Sequence, residues 1–94
     1  MAEALKLLGL VYRAKKMVLG EDILNNLQKV KLIFIASDIS DKSRERIEKK
    51  CAFYNIDYID RFTALELSSA LGKNNVKTIG IIDEGFKKAL IEKL

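Results

Sequence analysis

The stretch Leu32-Ile33-Phe34-Ile35-Ala36 is apolar at every position. A strand with one face in water alternates apolar and polar residues, so an unbroken run asks for cover on both faces. The run is also far short of the roughly 18–20 residues of a membrane span. A chain built around it must place further layers on each side of a central strand. It contains no proline, so nothing in it forces a helix to break or blocks a ladder position.

Helical and strand periods alternate around that run. Residues 2–14 read as a helix, because Ala4, Leu5, Leu7, Leu8, Val11 and Tyr12 recur at spacings of three and four. Gly9 interrupts this stripe at about 1 kcal/mol relative to alanine, which points to close approach of another backbone. The basic cluster Arg13, Lys15 and Lys16 leads into a short strand-like stretch, Met17-Val18-Leu19, ending at Gly20. Residues 21–29 predict a second helix. Glu21 and Asp22 sit in its first turn, where carboxylates suit the positive end of the helix dipole. Ile23, Leu24 and Leu27 form its buried side, with Asp22, Asn25, Asn26 and Lys29 opposite.

Residues 41–54 form the most charged helix. Ile47, Cys51 and Tyr54 make a narrow apolar stripe on it, and Glu45 with Lys49 is a favourable i,i+4 pair. The mixed-sign run Lys42, Arg44, Glu45, Arg46, Glu48, Lys49 and Lys50 reads as a solvated face. Ile56 to Ile59 alternates like a short strand. Thr63 and Glu66 form a capping box that opens a helix ending at Gly72. Thr78 to Ile82 is the last strand. Asp83 caps a final helix that turns Phe86, Ala89, Leu90 and Leu94 inward. The order αβαβαβαβα implies a three-layer α/β/α sandwich: a single mixed sheet of about four strands with helices on both faces, residues 1–94 making one domain.

Composition removes several enzyme classes. The chain has no histidine and one cysteine, so there is no His-based nucleophilic relay, no usual structural zinc set and no internal disulfide. A lone thiol fits a reducing, cytoplasmic setting. No basic region precedes an apolar core at the N-terminus, so neither a secretory signal nor a membrane partner is expected. Asp38 and Asp83 each follow a strand and could be imagined as a magnesium or phosphoryl-acceptor pair. Without a third acidic residue or a placed lysine, helix capping or turn formation is the stronger reading. Cys51 sits on the apolar stripe and reads as a core thiol. We expect no catalytic residue, metal or cofactor.

A different chemistry is suggested at Gly20-Glu21-Asp22. This is a helix N-terminus reached from the basic segment Arg13 to Lys16. Free amides flanked by cations can hold a phosphate backbone, and Asp22, Asn25 and Asn26 can hydrogen-bond base edges. An ordinary capped surface helix would look the same. Lys+Arg number 17 against 13 Asp+Glu, a net charge of +4, which agrees with an anionic partner without requiring one.

The series Leu8-Gly9-Leu10, Arg13-Ala14, Lys16, Gly20-Glu21-Asp22, Leu32 to Asp38, Lys50-Cys51, Tyr54, Ala70-Leu71-Gly72-Lys73 and Ile79 to Phe86 resembles one family over nearly the whole chain. It is similar to bacterial members of the ribosomal protein seven-Ae/thirty-e superfamily, the kink-turn RNA binders. The resemblance implies a monomeric, ribosome-associated protein that binds structured RNA, kink-turn or ribosomal, at two elements. One is the glycine-led helix mouth, carried over as Gly20, Glu21, Asp22 and Asn26, with Asn25 beside it. The other is the loop before the last strand: Lys73, Asn74, Asn75, Val76 and Lys77. Lys16 and Lys29 would contact phosphates.

The chain departs from the family pattern in several places. Asn26 stands where a lysine is common, Asp22-Ile23 where other branches carry Asn-Glu, and Lys15 where glycine is common. The segment from Gly20 to Lys31 is also shorter by nearly a helical turn. An interaction module using the charged helix 41–54 is the alternative on the same scaffold. The charge excess favours RNA. Residues 1–31 hold six basic and three acidic side chains, residues 32–60 five and six, and residues 61–94 six and four.

Overall fold

A computed structural model describes residues 2–94. Helix α1 (Glu3–Arg13) leads to strand β1 (Met17–Leu19) and a 3-10 helix, Gly20–Asn26. Then follow β2 (Leu32–Ile35), α2 (Asp41–Tyr54), β3 (Asp57–Ile59), α3 (Ala64–Leu71), β4 (Thr78–Ile81) and α4 (Glu84–Glu92). The four strands form one mixed sheet in the order β1-β4-β2-β3. Strand β4 runs antiparallel to both β1 and β2, and β2 runs parallel to β3.

The all-apolar run behaves as its sequence requires. Leu32, Phe34 and Ala36 enter one core cluster with Leu5, Leu8, Val11, Leu67, Leu71, Val76, Ile79, Ile81 and Leu90. Ile33 and Ile35 point the other way, into a second cluster with Ile23, Leu27, Val30, Cys51 and Ile56. Helices α1, α3 and α4 therefore cover one face, and the 3-10 helix with α2 covers the other. Gly9 is where α1 meets α3: a Cβ there would lie 2.9 Å from the Ala70 carbonyl oxygen. Gly80 does the same work on the opposite face. Its missing Cβ would lie 2.9 Å from Val18, 3.2 Å from Ile23 and 3.3 Å from Val30, so this glycine lets the 3-10 helix sit on the sheet.

The helix ends follow the capping signals. Thr63 and Glu66 make both bonds of the capping box, and Gly72 closes α3 in the left-handed region at φ 69°. The Ser40 hydroxyl accepts from the Ser43 amide at the head of α2, and the Asp83 carboxylate accepts from the Phe86 amide at 2.9 Å. Asp38 caps a more distant element, since the Ala64 amide donates to its carboxylate at 2.9 Å.

One element differs in kind. Residues 21–29, expected as a helix of the ordinary period, form a 3-10 helix over Gly20–Asn26 followed by a turn. A 3-10 helix rises about 2.0 Å per residue against 1.5 Å for an α-helix, so a shortened segment reaches further along the sheet. Its threefold period also regroups the side chains. Asn26 now falls below Ile23, becomes half-buried, and donates from its side-chain amide to the Asp22 carbonyl at 2.8 Å.

Candidate nucleic-acid interface

Strand pairing creates the site. Leu19 pairs with Ile79 across β1 and β4, so the residues just after β1 lie beside those just before β4. Ile35 pairs with Thr78, which brings the end of β2 to the same place. A groove of about 580 Å³ opens there. Gly20, Glu21 and Asp22 line it from the 3-10 helix, and Lys73, Asn74, Asn75, Val76 and Lys77 from the loop before β4. Two stretches more than fifty residues apart in the chain thus share one surface.

Backbone conformation fixes both sides. Gly20 sits at φ 55°, a region that disfavours L side chains, and a Cβ at Gly20 would touch nothing within 4 Å. The facing loop bends through Gly72 at φ 69° and Asn75 at φ 58°. Val76 anchors it: its side chain is 5% exposed within the core, and its amide donates to the buried Ser68 hydroxyl at 2.9 Å. Val76 therefore acts from the groove floor, while Lys73, Asn74, Asn75 and Lys77 stand exposed around it. The Lys73 ammonium lies 5.6 Å from the centre of the Tyr12 ring, a cation–π contact that links the loop to α1.

The remaining expected contacts lie elsewhere. Asn25, Asn26 and Lys29 line a second cavity of about 310 Å³ on the other side of the 3-10 helix. Lys16 borders neither cavity. Its carbonyl accepts from the Ile82 amide, at the opposite end of the β1–β4 pairing.

The groove's other side is α2, which contributes Ser43, Arg46, Ile47 and Lys50. Of these, Arg46 and Lys50 belong to the charge run that the sequence assigns to a solvated face. The signal was present: Ile47 is on the apolar stripe, and positions 43, 46 and 50 flank it on a helix. Packing Ile47 inward necessarily carries its neighbours to the groove edge. Lys50, Lys73 and Lys77 are in no ion pair among the described residues, and Arg46 reaches only to Glu21 at 4.0 Å. Four cations against two carboxylates around an amide-rich loop make a surface suited to a polyanion.

The chain matches the Ribosomal protein L7Ae/L30e/S12e/Gadd45 family over residues 2–91. It belongs to the L7Ae family. Two similar proteins are each named RNA-binding protein YlxQ. The one from Enterococcus faecium is 32% identical over 90 residues, covering 92% of this chain and 85% of that protein. The one from Bacillus subtilis (strain 168) is 31% identical, covering 94% and 91%. Among solved structures, a protein of unknown function from Bacillus halodurans C superposes with a TM-score of 0.92 at 30% identity, covering 98% and 96%. The Giardia lamblia 15.5kD RNA binding protein superposes with a TM-score of 0.76 at 18% identity, covering 94% of this chain and 78% of its own, and so shares the fold.

The L7Ae-family scaffold also separates the two candidate acids. Asp38 follows β2 and Asp83 follows β4, and these strands are antiparallel neighbours. Their carboxyl ends therefore lie at opposite ends of the sheet, which keeps the two residues from sharing a cation. Among the described residues no group of three or more Cys, Asp or Glu is placed to hold a metal, and no helix is long and apolar enough to cross a membrane. Cys51 is buried at 3% exposure, and burial first, then Glu48 and Asp57, pushes its thiol up to about 11. A thiol so shifted is a core side chain and a poor nucleophile.

Proposed function

We propose that this L7Ae-family chain is a non-catalytic, ribosome-associated RNA-binding protein of the cytoplasm. It recognises kink-turn-like structured RNA through the N-terminal end of its 3-10 helix and the loop before β4. The observation that carries this reading is the β1–β4 pairing, which sets Gly20-Glu21-Asp22 beside Lys73 to Lys77 in one groove with a cationic excess. The RNA-binding names of two relatives covering most of the chain support it.

The roles follow from chemistry. Lys73 and Lys77 neutralise phosphates, and the Asn74 and Asn75 amides can donate to and accept from base edges or sugar. Glu21 and Asp22 accept from base amines and repel phosphate, so they favour an exposed base edge over a plain duplex backbone.

A fluorescence titration against a kink-turn RNA and a plain duplex of equal length, with and without magnesium, tests this directly. The kink-turn should bind more tightly, with log K falling linearly in log salt. Equal affinity for the two RNAs sinks the specific reading. Gly20→Asp adds a carboxylate where the structure leaves open space. Left-handed strain costs this variant about 1–2 kcal/mol of stability. Like-charge juxtaposition costs several kcal/mol, so affinity should fall by about a hundredfold while the protein stays folded.

A further inference from the structure

The groove does not stop at the 3-10 helix. Leu24 and Leu27 border both it and the smaller cavity, so this one segment forms the partition between them. Helix α2 runs past both. Arg46, Lys50 and Tyr54 are spaced by four along it and form one stripe; the first two line the groove and Tyr54 lines the smaller cavity. Phe53 stands beside Tyr54 with ring centroids 5.1 Å apart and planes at 70°, and it is 81% exposed. Burying such a side chain is favourable, and this fold leaves that stabilisation unused.

We infer that α2 is a second RNA-contacting element. Arg46 and Lys50 hold backbone phosphates, and an unpaired nucleotide leaving the groove over the 3-10 helix stacks on the Tyr54–Phe53 pair. The inference rests on the RNA-binding reading above and adds to it a site for single-stranded RNA flanking the structured element.

The lining selects this occupant. Around Tyr54 the small cavity presents the amides of Asn25, Asn26 and Gln28 and the ammonium of Lys29, with no carboxylate. Amides pair with base edges in either direction, an ammonium pairs with phosphate, and an aromatic face accepts any base. The Asn26 side-chain amide is engaged by the Asp22 carbonyl, which leaves its oxygen to accept from a base amine. Leu24, Leu27 and Tyr54 supply the apolar part of this lining, and three amides and a cation supply the rest, a polar share that suits a nucleotide better than an apolar side chain.

The test uses the full chain and a kink-turn RNA, either blunt-ended or with a short single-stranded uridine tail placed in turn at each strand end. Tyr54→Ala and Phe53→Ala should weaken binding of a tailed RNA by about 5- to 150-fold, since a stacked base is worth about 1–3 kcal/mol. They should leave the blunt RNA unaffected, and Tyr54→Phe should keep parent affinity. Lys50→Gln should lower the slope of log K against log salt by about one for both RNAs. A tail carrying 5-iodouridine should photo-crosslink to Tyr54 or Phe53, a signal that a purely structural role would not produce. Both aromatics are exposed, so the alanine variants should melt like the parent.

Unchanged affinity of both alanine variants for every tailed RNA, or an unchanged salt slope for Lys50→Gln, overturns the inference. If Gly20→Asp loses binding while the α2 variants keep it, the RNA-binding reading stands and the α2 site falls alone. If the parent chain binds neither RNA, both fall.

Discussion

On one face of the sheet, three α-helices bury Leu5, Leu8, Val11, Leu67, Leu71 and Leu90 against Leu32, Phe34, Ile79 and Ile81. On the other face, Ile33 and Ile35 meet a single α-helix and a seven-residue 3-10 helix. Only Cys51 of α2 is fully buried there, with Ile47 partly so. Thick cover leaves no room between elements, whereas thin cover leaves a groove whose rim is free to be polar. If RNA binds in that groove as proposed, binding and stability are divided between the two faces, and substitutions should separate them.

The largest effect is expected on the thick face. Leu8→Ala removes a fully buried side chain, so chemical denaturation should show a loss of about 2–5 kcal/mol. The protein that remains folded should bind RNA as before; a parallel loss of affinity would break the division. Gly80→Ala is the strongest attack on the thin face. The new methyl group meets Val18, Ile23 and Val30, so overpacking should cost about 1–3 kcal/mol. Because Ile23 belongs to the 3-10 helix, RNA affinity should fall with stability, unlike in Leu8→Ala.

A third experiment uses pH. The Cys51 thiol is held up to about 11 from an ordinary value of 9.0. The unfolded chain therefore releases its thiol proton first as pH rises. The folded state loses about 1–2 kcal/mol between pH 9 and 11, and nothing from this group below pH 8. Tyr58, raised chiefly by the bond its hydroxyl donates to Glu48, acts in the same direction. Denaturation series across that window should show a smaller loss of stability with pH in Cys51→Ala, the remainder coming from Tyr58. The smallest expected stability change is Lys77→Gln, within about 0.5 kcal/mol, yet it should lower the salt slope of RNA binding by about one.

Local signals were legible in the sequence because their causes are local. The Thr63–Glu66 capping box, the Gly72 end of α3, the Asp83 cap and the bounds of α2 follow from residues a few positions apart. The two-sided strand followed from five side chains. Less was legible where the cause is a tertiary partner. The 3-10 geometry of Gly20–Asn26 depends on how that segment fits over Gly80, and the apolar spacing of Ile23, Leu24 and Leu27 suits either helix type. Asp38 follows β2 in the chain but caps α3, a partner that no local rule could name. Arg46 and Lys50 were hidden by a charge run of mixed sign, since only packing distinguishes the flank of Ile47 from the solvent side.

The place of β1 in the sheet has a consequence in time. Its strand partner is β4, and Leu19 must wait for Ile79, about 60 residues later in synthesis. At about 5–20 residues per second, that delay is about 3–12 s. Through that interval the emerging chain carries the basic segment near residue 16 but has no assembled groove. The groove proposed for RNA is in this way deferred until the β4 segment has been made and can pair with β1.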